Sequence, residues 1–284
     1  MDLIDLHTHT TASDGSFSPG RVVELALAAG LKAVGVTDHD STDGLDEALA
    51  KGRDIGLEVV PGVEISAEFQ SGTMHVLGYY MDYREPEFKN RLTALQDGRR
   101  NRNPNIVCKL NGLGLELTMD EVRAESGGGQ VGRPHFARVL IRKGYVATTE
   151  EAFDLYLGKG RPAYVDKFRF FPREAVQMIL QAGGLPVLAH PSTLKLSREG
   201  LEALVAELKA AGLVGLEAYY STHSPEMIED YLALCGRFDL VPTGGSDFHG
   251  ESKKDISLGT GRGDLAVPLD ILQRLKNRSV AKHE

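Results

Sequence analysis

Residues 5–15 read Asp-Leu-His-Thr-His-Thr-Thr-Ala-Ser-Asp-Gly, and the interpretation of the whole chain starts from this stretch. The apolar run that leads into it, residues 3–6, is typical of a short buried strand. Side chains two residues apart in a strand lie on one face, so His7 and His9 can bind one metal ion together. Asp14 follows in a loop of small and polar residues that can return its carboxylate to the same place. The stretch therefore predicts a metal site, although two surface histidines would be the alternative if it stood alone.

The rest of the chain repeats one arrangement: an amphipathic helix, a glycine, an apolar strand and then a polar cluster. Seven strands are predicted in this way, at residues 3–6, 33–36, 57–64, 74–79, 185–189, 214–218 and 240–243. Six of them carry His, Asp or Glu at or just beyond the C-terminal end, whereas the fourth carries His75 near its start. Strands separated by helices usually pair in parallel.

Polar side chains collected at strand ends are the way in which a β/α barrel builds its site. An open doubly wound sheet is the alternative fold, but it serves its ligand from two or three loops. Because six or seven strands contribute here, we predict an α/β fold consisting of a distorted seven-stranded, TIM-like (β/α) barrel.

The alternation of strands and helices breaks off between about residues 84 and 170. This segment is predicted to be mostly helical, with a capping box at residues 118–121 and no strand-like run until its end. We predict a barrel formed by residues 1–100 and 168–284, and a helical insertion, residues 101–167, that covers the active site.

Composition limits the functions that need to be considered. The chain has 284 residues, of which 42% are hydrophobic and 25% charged, as in ordinary globular proteins. A net charge of −8 argues against a broad basic surface for duplex nucleic acid. No apolar run reaches membrane-spanning length and the N-terminus lacks the basic start of a signal peptide. We expect a cytoplasmic protein without a membrane or an obligate protein partner.

Nine side chains occupy the strand-end pattern and are candidate metal ligands. They are His7, His9, Asp14, His39, Glu64, His75, His190, Asp247 and His249. Each of these side chains could have an ordinary structural role, but nine of them on one face of a barrel are difficult to explain without a metal. One ion typically takes three protein ligands, so this set suits two or three divalent ions, with Glu64 as the candidate bridge. His283 lies in the C-terminal tail, apart from this pattern.

These motifs together resemble the polymerase and histidinol phosphatase (PHP) family. The resemblance rests on His7-x-His9, residues 37–39, residues 62–64, Ala189-His190-Pro191 and residues 245–249, with Asp14 and His75. The Gly-Arg-Pro-His run at residues 132–135 resembles the small bacterial phosphoesterases of that family. For that branch the resemblance implies nucleoside 3′,5′-bisphosphates or short 5′-phosphorylated RNA as substrates.

The resemblance also implies how the ligands divide among a trinuclear site. One ion would be held by His7, His9, Glu64 and Asp247, a second by Asp14, His39 and His249, and a third by Glu64, His75 and His190. Some branches of the family have histidine at the position of Asp14. The oxygen-rich ligand set here favours manganese, with iron or zinc as alternatives.

The function that follows is hydrolysis of a phosphomonoester by a hydroxide held at the metal centre. Arg133 and His135 from the insertion, with His223 from the sixth strand, are the candidate catalytic residues that would clamp the phosphate. A small phosphorylated nucleotide or oligonucleotide is the expected partner. Histidinol-phosphate phosphatase activity is one alternative, and a non-catalytic domain that only binds a partner is the other.

Overall fold

The computed structural model describes residues 2–280 and shows an α/β fold around a nearly closed, barrel-like sheet. The strands of the sheet are β1 Leu3–Thr8, β2 Ala33–Val36, β3 Glu58–Ala67, β4 Met74–Tyr79, β5 Leu185–Leu188, β6 Gly215–Tyr220, β7 Val241–Gly245 and β8 Val267–Pro268. Their order is β7-β6-β5-β4-β3-β2-β1-β8. The predicted count of seven is therefore corrected to eight, because two residues near the C-terminus pair antiparallel with the start of β1. His283 lies outside the described residues.

Strand β7, at one edge of the sheet, approaches β1 and so nearly closes the barrel. The Asp247 amide donates to His7 O (2.9 Å), and the His9 amide donates to Phe248 O (2.8 Å). Gly245 ends β7 where a Cβ atom would lie 2.4 Å from the backbone nitrogen of His7, so this close approach requires glycine. The contact brings the segments that follow both strands together.

Strand β4 departs from the regular alternation predicted from the sequence. It runs antiparallel to both β3 and β5, while the neighbouring pairs β2–β3 and β5–β6 are parallel. Only residues 68–73 join β3 to β4, which is too short for the helical crossover that parallel strands need. The reversal places the start of β4 at the end of the sheet where the parallel strands finish. His75 therefore reaches the common face even though it lies near the start of its strand.

Helices surround the sheet and supply the insertion. They are α1 Pro19–Ala28, α2 Leu45–Ile55, α3 Pro86–Gly112, α4 Met119–Glu125, α5 Arg133–Arg142, α6 Thr149–Ala152, α7 Pro172–Gln181, α8 Arg198–Ala210, α9 Pro225–Arg237 and α10 Asp270–Val280. A π-helical turn, Phe153–Leu157, continues α6, and short 3-10 turns occupy Pro191–Leu194 and Gly250–Ser252. None of the described helices combines the length and apolarity needed to cross a membrane.

The long helix α3 belongs to both parts of the molecule. Phe88 and Leu95, in its first half, pack into the main hydrophobic core around the sheet. Ile106 and Leu110, in its second half, pack with α4 and α5 in a separate core. The packing partner of α3 therefore changes between Leu95 and Ile106, within one continuous helix.

Candidate metal centre and phosphate pocket

All nine candidate ligands lie at one end of the barrel. Their ligand atoms form four overlapping groups, each with its atoms within 4.8 Å of one another. The groups are His9, Asp14, His39 and His249; His7, Glu64 and His190; His7, His9 and Asp247; and His39, Glu64 and His75. Strand ends β1, β2, β3, β5 and β7 and the start of β4 all contribute, as the sequence pattern predicted.

Glu64 lies at the middle of this cluster, and its two oxygens face different histidines. Oε2 is 2.8 Å from His39 Nδ1 and 3.2 Å from His9 Nε2. Oε1 is 2.6 Å from His75 Nδ1 and 2.8 Å from His190 Nε2. Glu64 is shared by two of the four groups, which is the arrangement expected of a carboxylate that bridges two ions.

The donor set fits divalent metal ions. Several of its buried atoms have no hydrogen-bond partner: His7 Nε2, His9 Nε2, Asp14 Oδ1, His39 Nδ1 and Glu64 Oε2. Buried polar atoms are normally satisfied, and these point at one another at short distances without hydrogen-bond geometry. A mixture of imidazole nitrogens and carboxylate oxygens suits manganese, iron or zinc.

The buried carboxylates make this end of the barrel attractive to positive charge. Burial by itself would lower the pKa of His9, but Asp247 and Glu64 outweigh it and raise the pKa to about 9. Burial would raise the pKa of Glu64, but His39 and His75 outweigh it and hold that pKa well below its usual range. Metal cations can replace the protons that this field would otherwise retain.

Glu217 orients two of the candidate ligands and was not assigned a role from the sequence. Its Oε1 accepts a hydrogen bond from His7 Nδ1 (2.9 Å), and its Oε2 accepts from the His190 amide (2.7 Å). Because Nδ1 of His7 carries the proton, the lone pair on Nε2 faces the cluster. A glutamate within the apolar run 214–218 was the available signal, since an unpaired buried carboxylate is rare.

Other ligands have their ring protons fixed in the same way. Thr193 uses its hydroxyl proton for backbone carbonyls, so its oxygen accepts from His190 Nδ1 at 2.9 Å. His249 Nδ1 donates to Asp247 O at 2.8 Å. In both rings Nε2 is left as the acceptor that faces the cluster, which is the form that binds a metal.

A cavity of about 310 Å³ opens beside the cluster. One wall carries the candidate ligands Asp14, His39 and His75. The lining also includes six cationic side chains: Arg99, Arg102, Arg133, Lys159, Lys167 and Arg169. Among them, Arg133 is the residue to which the sequence assigned a catalytic role as part of the phosphate clamp.

Three of these six cations have no carboxylate partner among the described residues: Arg102, Arg133 and Lys159, of which Lys159 donates to the carbonyls of Phe69 and Gln70. Arg99 and Lys167 both pair with Asp40, at 2.6 Å and 3.2 Å, and Arg169 also has acidic partners. Within the described part of the chain, no carboxylate lies in ion-pair distance of Arg102 or Arg133. Arg102 Nε donates to the Asn103 side chain. A buried guanidinium without a counterion is costly unless an anion completes the site.

Arg133 and His135 occupy different positions in the start of α5. Arg133 reaches the cavity, donates to Leu157 O (3.0 Å) and lies 5.4 Å from the ring centroids of Phe153 and Tyr164. His135 is fully buried and is not part of the cavity lining. Its Nδ1 accepts from the Gly132 amide (2.9 Å), so its proton lies on Nε2, which has no partner among the described residues.

His223 does not join the cluster or the cavity. Its Nδ1 donates to Ala218 O (2.9 Å), and its Nε2 is 3.0 Å from the Ser192 hydroxyl. The ring lies 5.1 Å from that of Tyr220, which in turn contacts Asp247. Both of its ring nitrogens therefore already have partners within the described chain, and its ring packs against Tyr220.

Comparisons with known proteins agree with this arrangement. A model of the PHP domain matches residues 5–231. The 3′,5′-nucleoside bisphosphate phosphatase of Chromobacterium violaceum is 34% identical over 90% of this chain and 91% of its own length. A 5′-3′ exoribonuclease of Haemophilus influenzae is 33% identical over 86% of this chain and 89% of its own length.

Solved structures show the same relationship. A structure from Bifidobacterium adolescentis, assigned to a metal-dependent phosphoesterase, has a TM-score of 0.87 and 31% identity, and the match covers 98% of this chain and 96% of that one. A Chromobacterium violaceum amidohydrolase with bound sulfate and no metal has a TM-score of 0.88 and 31% identity. That match covers 97% of this chain and 96% of the amidohydrolase.

Proposed function

Since this chain belongs to the PHP domain family, we propose that it hydrolyses phosphomonoesters of nucleotides at a centre of two or three metal ions. The family relationship makes it a metal-dependent phosphoester hydrolase. The proposed substrates are nucleoside 3′,5′-bisphosphates or short 5′-phosphorylated RNA. They share a feature that a simple phosphomonoester lacks, namely a second phosphate group close to the one that is removed.

The observation that carries this proposal is the pair of uncompensated guanidinium groups opposite the ligand cluster. The ions would neutralise the phosphate that is hydrolysed, so they leave Arg102 and Arg133 without an anion. A second phosphate, at the cationic wall of the same cavity, would supply that anion. Arginine is suited to this task because its planar fork can donate two parallel hydrogen bonds to phosphate oxygens.

The nine candidate ligands would hold the ions in the groups that their geometry defines, with Glu64 as the bridge. When bound, divalent ions supply Lewis-acid activation of water and neutralise charge at phosphorus. Glu217 and Thr193 keep the histidine lone pairs directed at the cluster. The charge of Arg133 would act on phosphate oxygens from the insertion. His135, which does not line the cavity, would support this position by holding the Gly132 amide at the start of α5.

The proposed insertion, residues 101–167, gives the barrel its selectivity. Arg102, Arg133 and Tyr164 come from it and close the cavity on the side away from the ligands. The cationic groups are confined to a cavity of about 310 Å³, which suits a nucleotide or the end of a short single strand better than a duplex. We expect manganese to support activity best.

Histidinol phosphate is a weaker candidate on the same grounds. It carries one phosphate and a positively charged amine, so its binding would leave the uncompensated arginines unpaired and add a further cation. A binding-only domain is also disfavoured, because such a domain has no use for a full set of buried metal donors.

A substrate panel tests the proposal directly. Manganese-loaded protein should hydrolyse nucleoside 3′,5′-bisphosphates and 5′-phosphorylated oligonucleotides with a higher kcat/KM than mononucleotides or histidinol phosphate. Arg102→Met should remove most of the preference for bisphosphates over monophosphates, whereas Arg100→Met, which alters an exposed neighbour on α3, should not. A highest kcat/KM for histidinol phosphate would reverse the ranking and contradict the proposal.

A further inference from the structure

The two oxygens of Asp247 have different surroundings. Oδ1 faces the candidate ligands, at 3.1 Å from His9 Nε2 and 3.4 Å from His249 Nδ1. Oδ2 faces away and accepts two hydrogen bonds, one from the Tyr220 hydroxyl (2.8 Å) and one from Lys253 Nζ (2.6 Å). One oxygen is therefore available to a metal, and the other is already occupied by protein donors.

The backbone of Asp247 is fixed independently of these contacts. Its φ angle of 58° is in the left-handed region, its amide donates to His7 O, and its carbonyl accepts from His249 Nδ1. Only rotation of the side chain could bring Oδ2 to the ions. Tyr220 and Lys253 prevent that rotation by holding Oδ2 on its outer side.

Lys253 is itself held in place by the segment that follows His249. The Glu251 amide donates to the Ser16 hydroxyl, and the Ser252 hydroxyl bonds the carbonyl of Asp14. Arg138, from the insertion helix α5, donates to the same Ser252 hydroxyl. This short segment thus connects both ligand-bearing loops with the insertion.

The contact differs from an ordinary surface ion pair. The Lys253 side chain is 41% exposed, but its partner Asp247 is only 9% exposed. Pairs between two exposed groups contribute little because water competes for both partners. Here the ammonium contacts a carboxylate that belongs to the proposed metal centre, so its positive charge also acts on any cation bound there.

We propose that Lys253 is a positioning residue that, with Tyr220, restricts Asp247 to binding the metal through Oδ1 alone. This inference rests on the proposed metal centre. Its consequence is a weaker hold on the ion shared by His7, His9 and Asp247, because one carboxylate oxygen is withheld and part of the carboxylate charge is neutralised. Less charge donated by the ligand leaves the ion a stronger Lewis acid toward the substrate.

Three variants separate this role from a general effect of charge. Lys253→Met removes the donor and its charge at similar length, Lys253→Arg keeps both, and Lys254→Met changes the adjacent lysine, which forms no ion pair within the described residues. Each manganese-loaded protein is exposed to a chelator for timed intervals, and the retained metal is measured by elemental analysis. Melting temperatures verify that the variants are folded.

Lys253→Met should lose metal roughly 3–10-fold more slowly than the parent protein, since Oδ2 becomes free to bind and a repelling charge is gone. Lys253→Arg and Lys254→Met should lose metal at about the parent rate, within roughly twofold. If Lys253→Met does not fold, Tyr220→Phe removes the other donor and should also slow the loss. Equal or faster loss from the folded variant would overturn the proposal, whatever its activity.

The measurement also separates this inference from the proposed function. A parent protein that holds manganese but cleaves no nucleotide would contradict the proposed substrate and leave the comparison of Lys253 variants intact. A parent protein that retains no metal after reconstitution would overturn both.

Discussion

Replacing Arg102 by methionine should make the free protein more stable and the enzyme less active. The Arg102 residue is 4% exposed, and no carboxylate of the described chain pairs with it. Burial, together with the like charges of Arg99 and Arg133, lowers the pKa of Arg102 from its usual range to about 9. The folded protein thus keeps a cation in surroundings that disfavour it, and it gains an anionic partner only from a ligand.

The size of the effect follows from that difference in pKa. The fall of that pKa to about 9 corresponds to about 5 kcal/mol, at about 1.36 kcal/mol per pKa unit. This is an upper limit, because water and dissolved anions that enter the cavity recover part of it. Arginine remains charged at pH 7 in the folded and unfolded protein, so the full cost is present there.

Methionine can occupy much of the volume of the arginine stem without a charge. We therefore expect Arg102→Met to gain about 1–2 kcal/mol, which corresponds to roughly 2–8 °C in Tm for a chain of this size. Thermal unfolding of the manganese-loaded protein would measure this gain, with Arg100→Met as the matched control. Arg100 is exposed and pairs with Asp97, so its replacement should change Tm little.

Thermal unfolding in the presence of inorganic phosphate tests whether Arg102 binds an anionic ligand. Phosphate at 100 times its Kd should stabilise the parent protein by about 2.7 kcal/mol, and it should stabilise Arg102→Met much less. kcat/KM for a nucleoside bisphosphate should fall by roughly 10²–10³ in the variant. A variant that melts below the parent, while phosphate stabilises both proteins equally, would refute the assignment of Arg102 to phosphate binding.

Four further predictions concern the centre and its surroundings. Reconstituted protein should hold more than one equivalent of transition metal and lose activity on chelation; elemental analysis that finds at most one ion would contradict a multinuclear centre. Glu64→Gln should lower metal content and activity more than His75→Ala, because two groups of donors share Glu64, and equal mild losses would disprove the bridge. Arg133→Ala should lower kcat/KM by roughly 10²–10³ at unchanged metal content, and Arg133→Lys should recover part of it; normal kinetics in Arg133→Ala would remove the insertion from catalysis. Burial lowers the pKa of Lys167 to about 7. The positive charge of Lys167 is therefore lost as the pH rises through that value, and KM should increase between pH 6 and 8. A Lys167→Met variant with the same pH profile would show that another group is responsible.

The sequence was sufficient to place the nine candidate ligands on one face because their signals are local. His-x-His after an apolar run places two imidazoles on one face whatever the rest of the fold does. Helices ended by glycine and followed by apolar strands predicted the barrel, since parallel strands bring their ends to one face. Even His75, which departs from the rule, was recognisable as an exception before β4 proved to be reversed.

The cationic cavity and the contacts that orient the candidate ligands could not be obtained in this way, because they depend on which distant segments pack together. Arg102 looks like one of several basic residues on a helix, and only the packing of the second half of α3 against the insertion buries it without a counterion. Lys167 and Asp40 are separated by 127 positions in the chain. Periodicity describes the face of a single element. Neighbours that meet only after the chain has folded set the burial of a side chain and the pKa of a cation. They also decide which of the two oxygens of Asp247 faces the candidate ligands.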